Sequence, residues 1–208
     1  MKYTKETWKG SALLAPVPPT IVTCKCGDKT NALTIGWTGI LNTIPPKTYI
    51  SVRPERYSYN LIKESGQFVI NLTTRELVRA CDWCGVKSGA KFDKFKEMGL
   101  ETEPASKVDV PLLSDSPVNL ECVVTDVIPL GSHDMFIADI VAINVAKELL
   151  DKDGRLQLEK ADLVAYSHGE YFALGEKLGS FGYTVRKKKK SSRKPATAKH
   201  KKNNNKKV

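Results

Sequence analysis

Between Asn31 and Asn60 the chain gathers groups suited to a charged, partly aromatic ligand. Val52-Arg53-Pro54 closes a run of extended chain, and Tyr57, Ser58 and Tyr59 follow almost at once. A guanidinium is a permanent planar cation with a fork of donors, and hydroxyl and free backbone N–H groups at a helix start complete what a phosphate dianion needs. A flat polar ring could lie beside it. The same residues also admit a plainer account, an exposed arginine at a strand end and an ordinary serine at a helix start.

The five cysteines, Cys24, Cys26, Cys81, Cys84 and Cys122, are the second group able to do chemistry. Cys24-Lys-Cys26 and Cys81-Asp-Trp-Cys84 together could offer four soft ligands to zinc or an iron–sulfur cluster. Against this, Cys24 and Cys26 lie in TIVTCKC, which reads as a strand, and its period of two puts both on one face without any metal. The odd count and the lack of a clear secretory signal argue against a disulfide framework. Reduced, partly buried thiols are the expectation. Cys81 and Cys84 could form a redox dithiol, but an incidental Cys81 is the simpler account.

The elements that must position these groups alternate in a β-rich order. Ile21 to Cys26 and Asn31 to Trp37 read as a hairpin about Gly27-Asp28-Lys29. After Pro45-Pro46, Thr48 to Arg53 is a third strand. Arg56 to Ser65 is a helix with Gly66 at its C-cap, and Gln67 to Leu72 a fourth strand. A helix is expected over 74–83 with Gly85 to Gly89 breaking it, and another over 91–98. Residues 101–117 read as a proline-punctuated loop. Val118 to Pro129 and Met135 to Glu148 are long strands of the kind that coil in small barrels, and Leu163 to Tyr166 is a last strand. Without βαβ alternation or a G-x-G-x-x-G after a strand, the reading is mainly β, an antiparallel barrel with peripheral helices rather than a dinucleotide-binding sheet.

Charge separates the chain into two parts. Of 33 Lys and Arg, 12 lie from Arg186 onward with no acidic residue among them, leaving 21 basic against 23 acidic residues before that point. A folded domain over 1–185 and a disordered basic tail over 186–208 are therefore expected. The tail has no aromatics, so stacking on single-stranded bases is not its mode; it could contact nucleic acid or anionic membrane weakly and with strong salt dependence, or equally only aid solubility or recruit an acidic partner. No apolar run approaches the roughly 18 residues a membrane-spanning helix needs, and the expected address is the cytoplasm.

Seven segments in order carry a resemblance: N-A-L-T-I-G-W-T-G (31–39), P-P (45–46), I-S-V-R-P (50–54), R-Y-S-Y-N-L-I (56–62), C-G-V-K-S-G (84–89) with D-K-F-x-x-x-G-L (93–100), G-S-H-D-M-F-I-A-D (131–139) and G-E-Y-F-A-L-G (169–175). With these the chain resembles the flavin reductase-like, FMN-binding split-barrel family, in its flavoredoxin-like branch. The resemblance implies a six-stranded Greek-key split barrel, a homodimer, and FMN held without a covalent bond. It implies electron flow from NAD(P)H or a reduced protein donor through FMN to an acceptor; an electron carrier with little direct NAD(P)H activity is the alternative.

The resemblance also implies site residues. Arg53, Tyr57 and Ser58 would serve the phosphate end, Val52 and Ser88 would also contact the cofactor, and Lys94 would reach the flavin or its phosphate. Asn31, Trp37 and Thr38 would approach the ring edge or ribityl chain, Tyr166 would cover the ring, and His133 would touch phosphate or assist proton delivery.

Overall fold

In the computed structural model, which describes residues 2–186, one antiparallel sheet holds seven of the eleven strands. Its strands are β1 (Thr20–Cys26), β2 (Lys29–Ile35), β3 (Thr38–Asn42), β4 (Lys47–Val52), β5 (Gln67–Leu72), β8 (Val118–Pro129) and β9 (Asp134–Val145). Short hairpins are formed by β6 (Thr102–Glu103) with β7 (Leu112–Leu113) and by β10 (Val164–Ser167) with β11 (Glu170–Ala173). The helices are α1 (Tyr57–Ser65), α2 (Val78–Val86) and α3 (Lys94–Met98).

The sheet order is β2-β1-β5-β8-β9-β4-β3, so β2 and β3 are the two edges. Only Gly36 and Trp37 separate them in sequence. One bent run of chain therefore ties the edges together covalently, and six extended runs account for seven paired strands. This is a barrel split along one seam. At the bend the β3–β4 ladder runs one pair further, the Ser51 amide donating to the Trp37 carbonyl at 3.0 Å.

The core lies within the curled sheet. Val22, Leu33, Ile50, Val52, Ile62, Phe68, Cys122 and Phe136 pack there, and α1 plugs one end with Tyr59, Leu61 and Ile62. Phe68 and Phe136 are fully buried, and truncating either to alanine costs about 3–5 kcal/mol. Gly66 ends α1 at φ +66°, where a side chain would be strained, and its N–H donates to Ile62.

Several elements differ from the sequence reading for local reasons. Thr74 makes a β-bridge to Leu163 and Arg75 N donates to Asp162, so the first turn expected of α2 is taken up elsewhere. Gly85 does not break α2. It lies within the helix, where a Cβ would come 3.1 Å from Thr34, so glycine allows close packing of α2 on β2. Asp93 caps α3 by accepting from the N–H groups of Phe95 and Lys96, which makes Lys94 the first helical residue. Thr38–Asn42, read as a connection, is a strand on β4.

Two compact units divide the chain, 1–174 and 175–208. Within the second, Tyr183–Val185 forms a single helical turn. The Lys-rich segment over 187–208 lies outside the described residues. Among the described residues no helix is long and apolar enough to cross a membrane.

Candidate functional site

β4 is buried on alternate residues, Thr48, Ile50 and Val52, and this register delivers Arg53 just beyond the last core position. Pro54 cannot donate to a ladder, so the chain turns, with Arg56 N donating to Arg53 O at 3.0 Å, and enters α1. The pairing of Val52 with Asp134 sets the turn carrying His133 beside Arg53. Above them a cavity of about 310 Å³ opens, within the range of small-molecule sites.

The cavity has a basic and an acidic side. Arg53, Arg56 and His133 line one part; Asp82 and the Tyr171 hydroxyl, 3.4 Å apart, line another. Trp37 stands at its mouth, about a third exposed. Tyr166 meets Tyr171 edge-on with centroids 5.2 Å apart. Burial, aided by the Arg53 charge, pushes the His133 imidazole below its ordinary pKa, which favours the neutral ring at neutral pH. Ser132 Oγ lies 2.9 Å from His133 Nδ1, leaving Nε2 free of that contact. Burial raises the Tyr171 phenol, so it stays protonated.

Leu33, Thr34, Arg56 and Gly85 are shared with a smaller, polar cleft of about 90 Å³. Lys94 reaches into it from the first position of α3. Only 3% exposed, Lys94 donates to the Cys84 carbonyl at 2.7 Å and has no ion pair with any described residue. Burial drives its pKa down from the ordinary lysine value, and the nearby Arg56 charge adds to the effect. A buried ammonium of this kind is costly unless an anion compensates it. Beside it Ser58, also buried, accepts from Asn31 Nδ2 at 2.7 Å. Arg56 Nη1 donates to Gly85 O at 2.8 Å, and Ser88 and Tyr57 complete the rim.

The expected site residues thus fall into two adjoining groups. Asn31, Tyr57, Ser58, Ser88 and Lys94 line the polar cleft; Trp37, Val52, Arg53, His133 and Tyr166 line the larger cavity. Thr38 lines neither, and its hydroxyl donates to the Tyr49 carbonyl across the β3–β4 ladder. Sequence reasoning passed over Arg56, Asp82, Gly89 and Tyr171. Arg56 had a signal, a second cation three residues after Arg53 across a proline turn. Asp82 and Tyr171 had none, because they meet only through folding.

Of the thiols, Cys84 lines the polar cleft beside Lys94. All five are free, and burial raises Cys24 and Cys81 to about 11. Among the described residues no group of three or more His, Cys, Asp or Glu is arranged to hold a metal.

Residues 13–175 match the flavin reductase like domain. The chain belongs to that family. Flavoredoxin of Desulfovibrio vulgaris (Miyazaki F) is 31% identical, with a TM-score of 0.82 over 88% of this chain and all of that one. The FMN-binding protein from Thermus thermophilus shares the fold at a TM-score of 0.71 and 22% identity, over 86% of this chain and 98% of that one. An NADPH-flavin oxidoreductase of Streptomyces viridifaciens is 25% identical across 64% of this chain and 69% of its own length. The resemblance read from the seven segments and the split-barrel fold are both borne out.

The donors present fit FMN, the flavin that the resemblance implies. A lone buried ammonium, a guanidinium and two serine hydroxyls converge on a phosphate-sized cleft, which opens toward a cavity walled by Trp37, Tyr166 and Tyr171.

Proposed function

We propose that this chain is an FMN-dependent oxidoreductase that takes electrons from NAD(P)H or a reduced protein donor and passes them to an acceptor. The observation that carries the reading is Lys94, a buried cation without an acidic partner among the described residues, lining a cleft that adjoins an aromatic cavity. Bound FMN supplies one- and two-electron redox chemistry; the chain binds, orients and shields.

Lys94, Arg56, Ser58 and Ser88 would hold the phosphate, with Asn31 fixing the Ser58 hydroxyl by its 2.7 Å hydrogen bond. Trp37 and Tyr166 would cover the ring and limit water at its edge. Arg53 and Arg56 favour an anionic ligand at the cavity mouth, which suits a nicotinamide donor. Neutral His133 could move a proton at Nε2 between solvent and the cavity. Thr38 contributes by fixing the seam below Trp37 rather than by touching a ligand.

We further infer a homodimer. Ile40, Leu41 and Ile44 are exposed on β3 and its turn, and Val141 joins them along β9, where Ile140 N donates to Pro46 O at 3.0 Å. Such a patch supports association. Light scattering at micromolar concentration should return twice the chain mass, and a monomer would refute it.

The deciding test is an absorbance spectrum of the purified protein before and after anaerobic addition of NADH or NADPH. Flavin bands that bleach within seconds support the reductase. Bands that persist with both nicotinamides, then bleach with a reduced protein donor, identify a carrier. A protein that stays colourless when offered FMN refutes the reading.

A further inference from the structure

Gly89 lies in the loop between α2 and α3, against the side chain of Asn31. A Cβ at Gly89 would come 2.2 Å from Asn31 Oδ1, 2.5 Å from Cγ and 2.7 Å from Nδ2. Gly89 has no positive φ in the left-handed region, so space and not backbone freedom calls for glycine there. Neither partner can easily withdraw. Asn31 is 3% exposed, sits in register opposite Cys24 in the β1–β2 ladder, and donates to Ser58. The loop is tied by hydrogen bonds from Lys91 N and Phe92 N to Ser88 O and by an edge-on contact of Phe92 with Trp83 at 5.6 Å.

The contact forms one wall of the polar cleft. That cleft has about 90 Å³ of space, under a third of the 310 Å³ of the adjoining cavity, and so suits a small polar group such as a phosphoryl rather than a ring. Its cation, Lys94, and its oriented hydroxyl, Ser58, stand beside the wall.

We propose that Gly89, packed on Asn31, is a specificity-determining residue: it keeps Asn31 on Ser58 and ends the cleft after a single phosphate, so that the chain selects FMN over FAD and over riboflavin. The inference rests on the FMN reading above and adds which flavin is admitted and by which residues. Riboflavin loses because it leaves Lys94 buried without an anion. FAD loses because its second phosphate meets the Gly89–Asn31 wall.

Flavin fluorescence titrations of the full chain test this with FMN, FAD and riboflavin on the wild type, Gly89→Ala, Asn31→Ala and the double variant. Wild type should bind FMN at least about tenfold more tightly than either competitor. Gly89→Ala should weaken FMN about tenfold while moving riboflavin less than about twofold, since only the phosphate end is displaced. The double variant should bind FMN no more weakly than Asn31→Ala alone, because removing the carboxamide removes the collision. Asn31→Ala should also narrow the FMN-to-FAD ratio, and this arm stands even if Gly89→Ala fails to fold. Equal wild-type affinity for FMN and FAD overturns the proposal, as does an unmoved FMN-to-FAD ratio in Asn31→Ala. A wild type that binds no flavin at all instead overturns the FMN reading on which it rests.

Discussion

Two buried charges lie in the same barrel and are treated in opposite ways. Glu121, on β8, is fully buried and accepts from Ser106 N and Oγ, Lys107 N, Val108 N and Asn144 Nδ2. Lys94 has three protons to donate and, among the described residues, one acceptor, the Cys84 carbonyl. Burial opposes ionisation of Glu121, yet its donors, Asn144 and Ser106 foremost, hold its pKa down to about 2. Burial of Lys94 prevails and lowers its pKa. The carboxylate is satisfied from within and ties the loop over 104–110 to the sheet. No described residue offers the ammonium an anion, and on the proposed reading the phosphate of FMN supplies it. Saturation marks a structural charge; incomplete coordination marks a binding one.

Breaking the saturated site should have the largest effect. Glu121→Gln turns one acceptor oxygen into a donor facing backbone N–H groups, and should cost about 3 kcal/mol by urea unfolding. FMN affinity should hold within about twofold, since the residue is remote from both parts of the site. A large loss of affinity with intact stability would reverse the assignment of roles.

Replacing the other charge should invert that pattern. Lys94→Met should weaken FMN about thirtyfold. It should not lower the melting temperature of the FMN-free protein, because an apolar side chain of similar length removes an uncompensated buried charge. A fall in melting temperature would mean Lys94 is structural after all.

Acidity sharpens the comparison further. With a folded pKa of about 2, below its unfolded value, Glu121 stabilises fully above about pH 5 and loses that contribution as pH falls toward 2. The wild type should therefore weaken more steeply across this window than Glu121→Gln. Lys94 acts with the opposite meaning. Its lowered folded pKa makes the charged form a cost at neutral pH, relieved as pH rises through that value. FMN affinity should fall over the same alkaline range, and the fall should be missing in Lys94→Met.

The smallest effect is expected at Arg53. It is half exposed, with Glu55 Oε2 3.6 Å away, so Arg53→Ala should weaken FMN by only about threefold at low salt and less at high salt.

Much of the fold was legible because the strands carry strong local signals. β1, β4, β5, β8 and β9 each read as β-branched, apolar runs, several with Gly or Pro at an end, and all five form. The N-terminal end of α2 was not legible, because Thr74 and Arg75 are claimed by Leu163 and Asp162 nearly ninety residues on in sequence, beyond the reach of any local rule. β3 was missed for a related reason: Gly36-Trp37 looked like an end, while it is a bend. Of the residues that line the two cavities, Arg53, Ser58 and Lys94 were singled out from residue type and family pattern. Asp82 and Tyr171 were not, since their meeting is set by the β10–β11 hairpin folding onto α2. Nor was the structural role of Glu121, which sits in an apolar run and gave no sign that a loop would wrap it.

The pairing of β4 with β9 has a consequence in time. Val52 finds Asp134 and Ile50 finds Phe136 across more than eighty residues of chain, and contacts of such long range form late. The Arg53 and His133 walls come together only through this pairing, so the cavity does not exist in earlier, partly formed chains. A cofactor that needs the finished cavity cannot guide the search. It should leave the folding rate unchanged and slow unfolding alone, so that loading with FMN appears in a chevron as a shift of the unfolding arm.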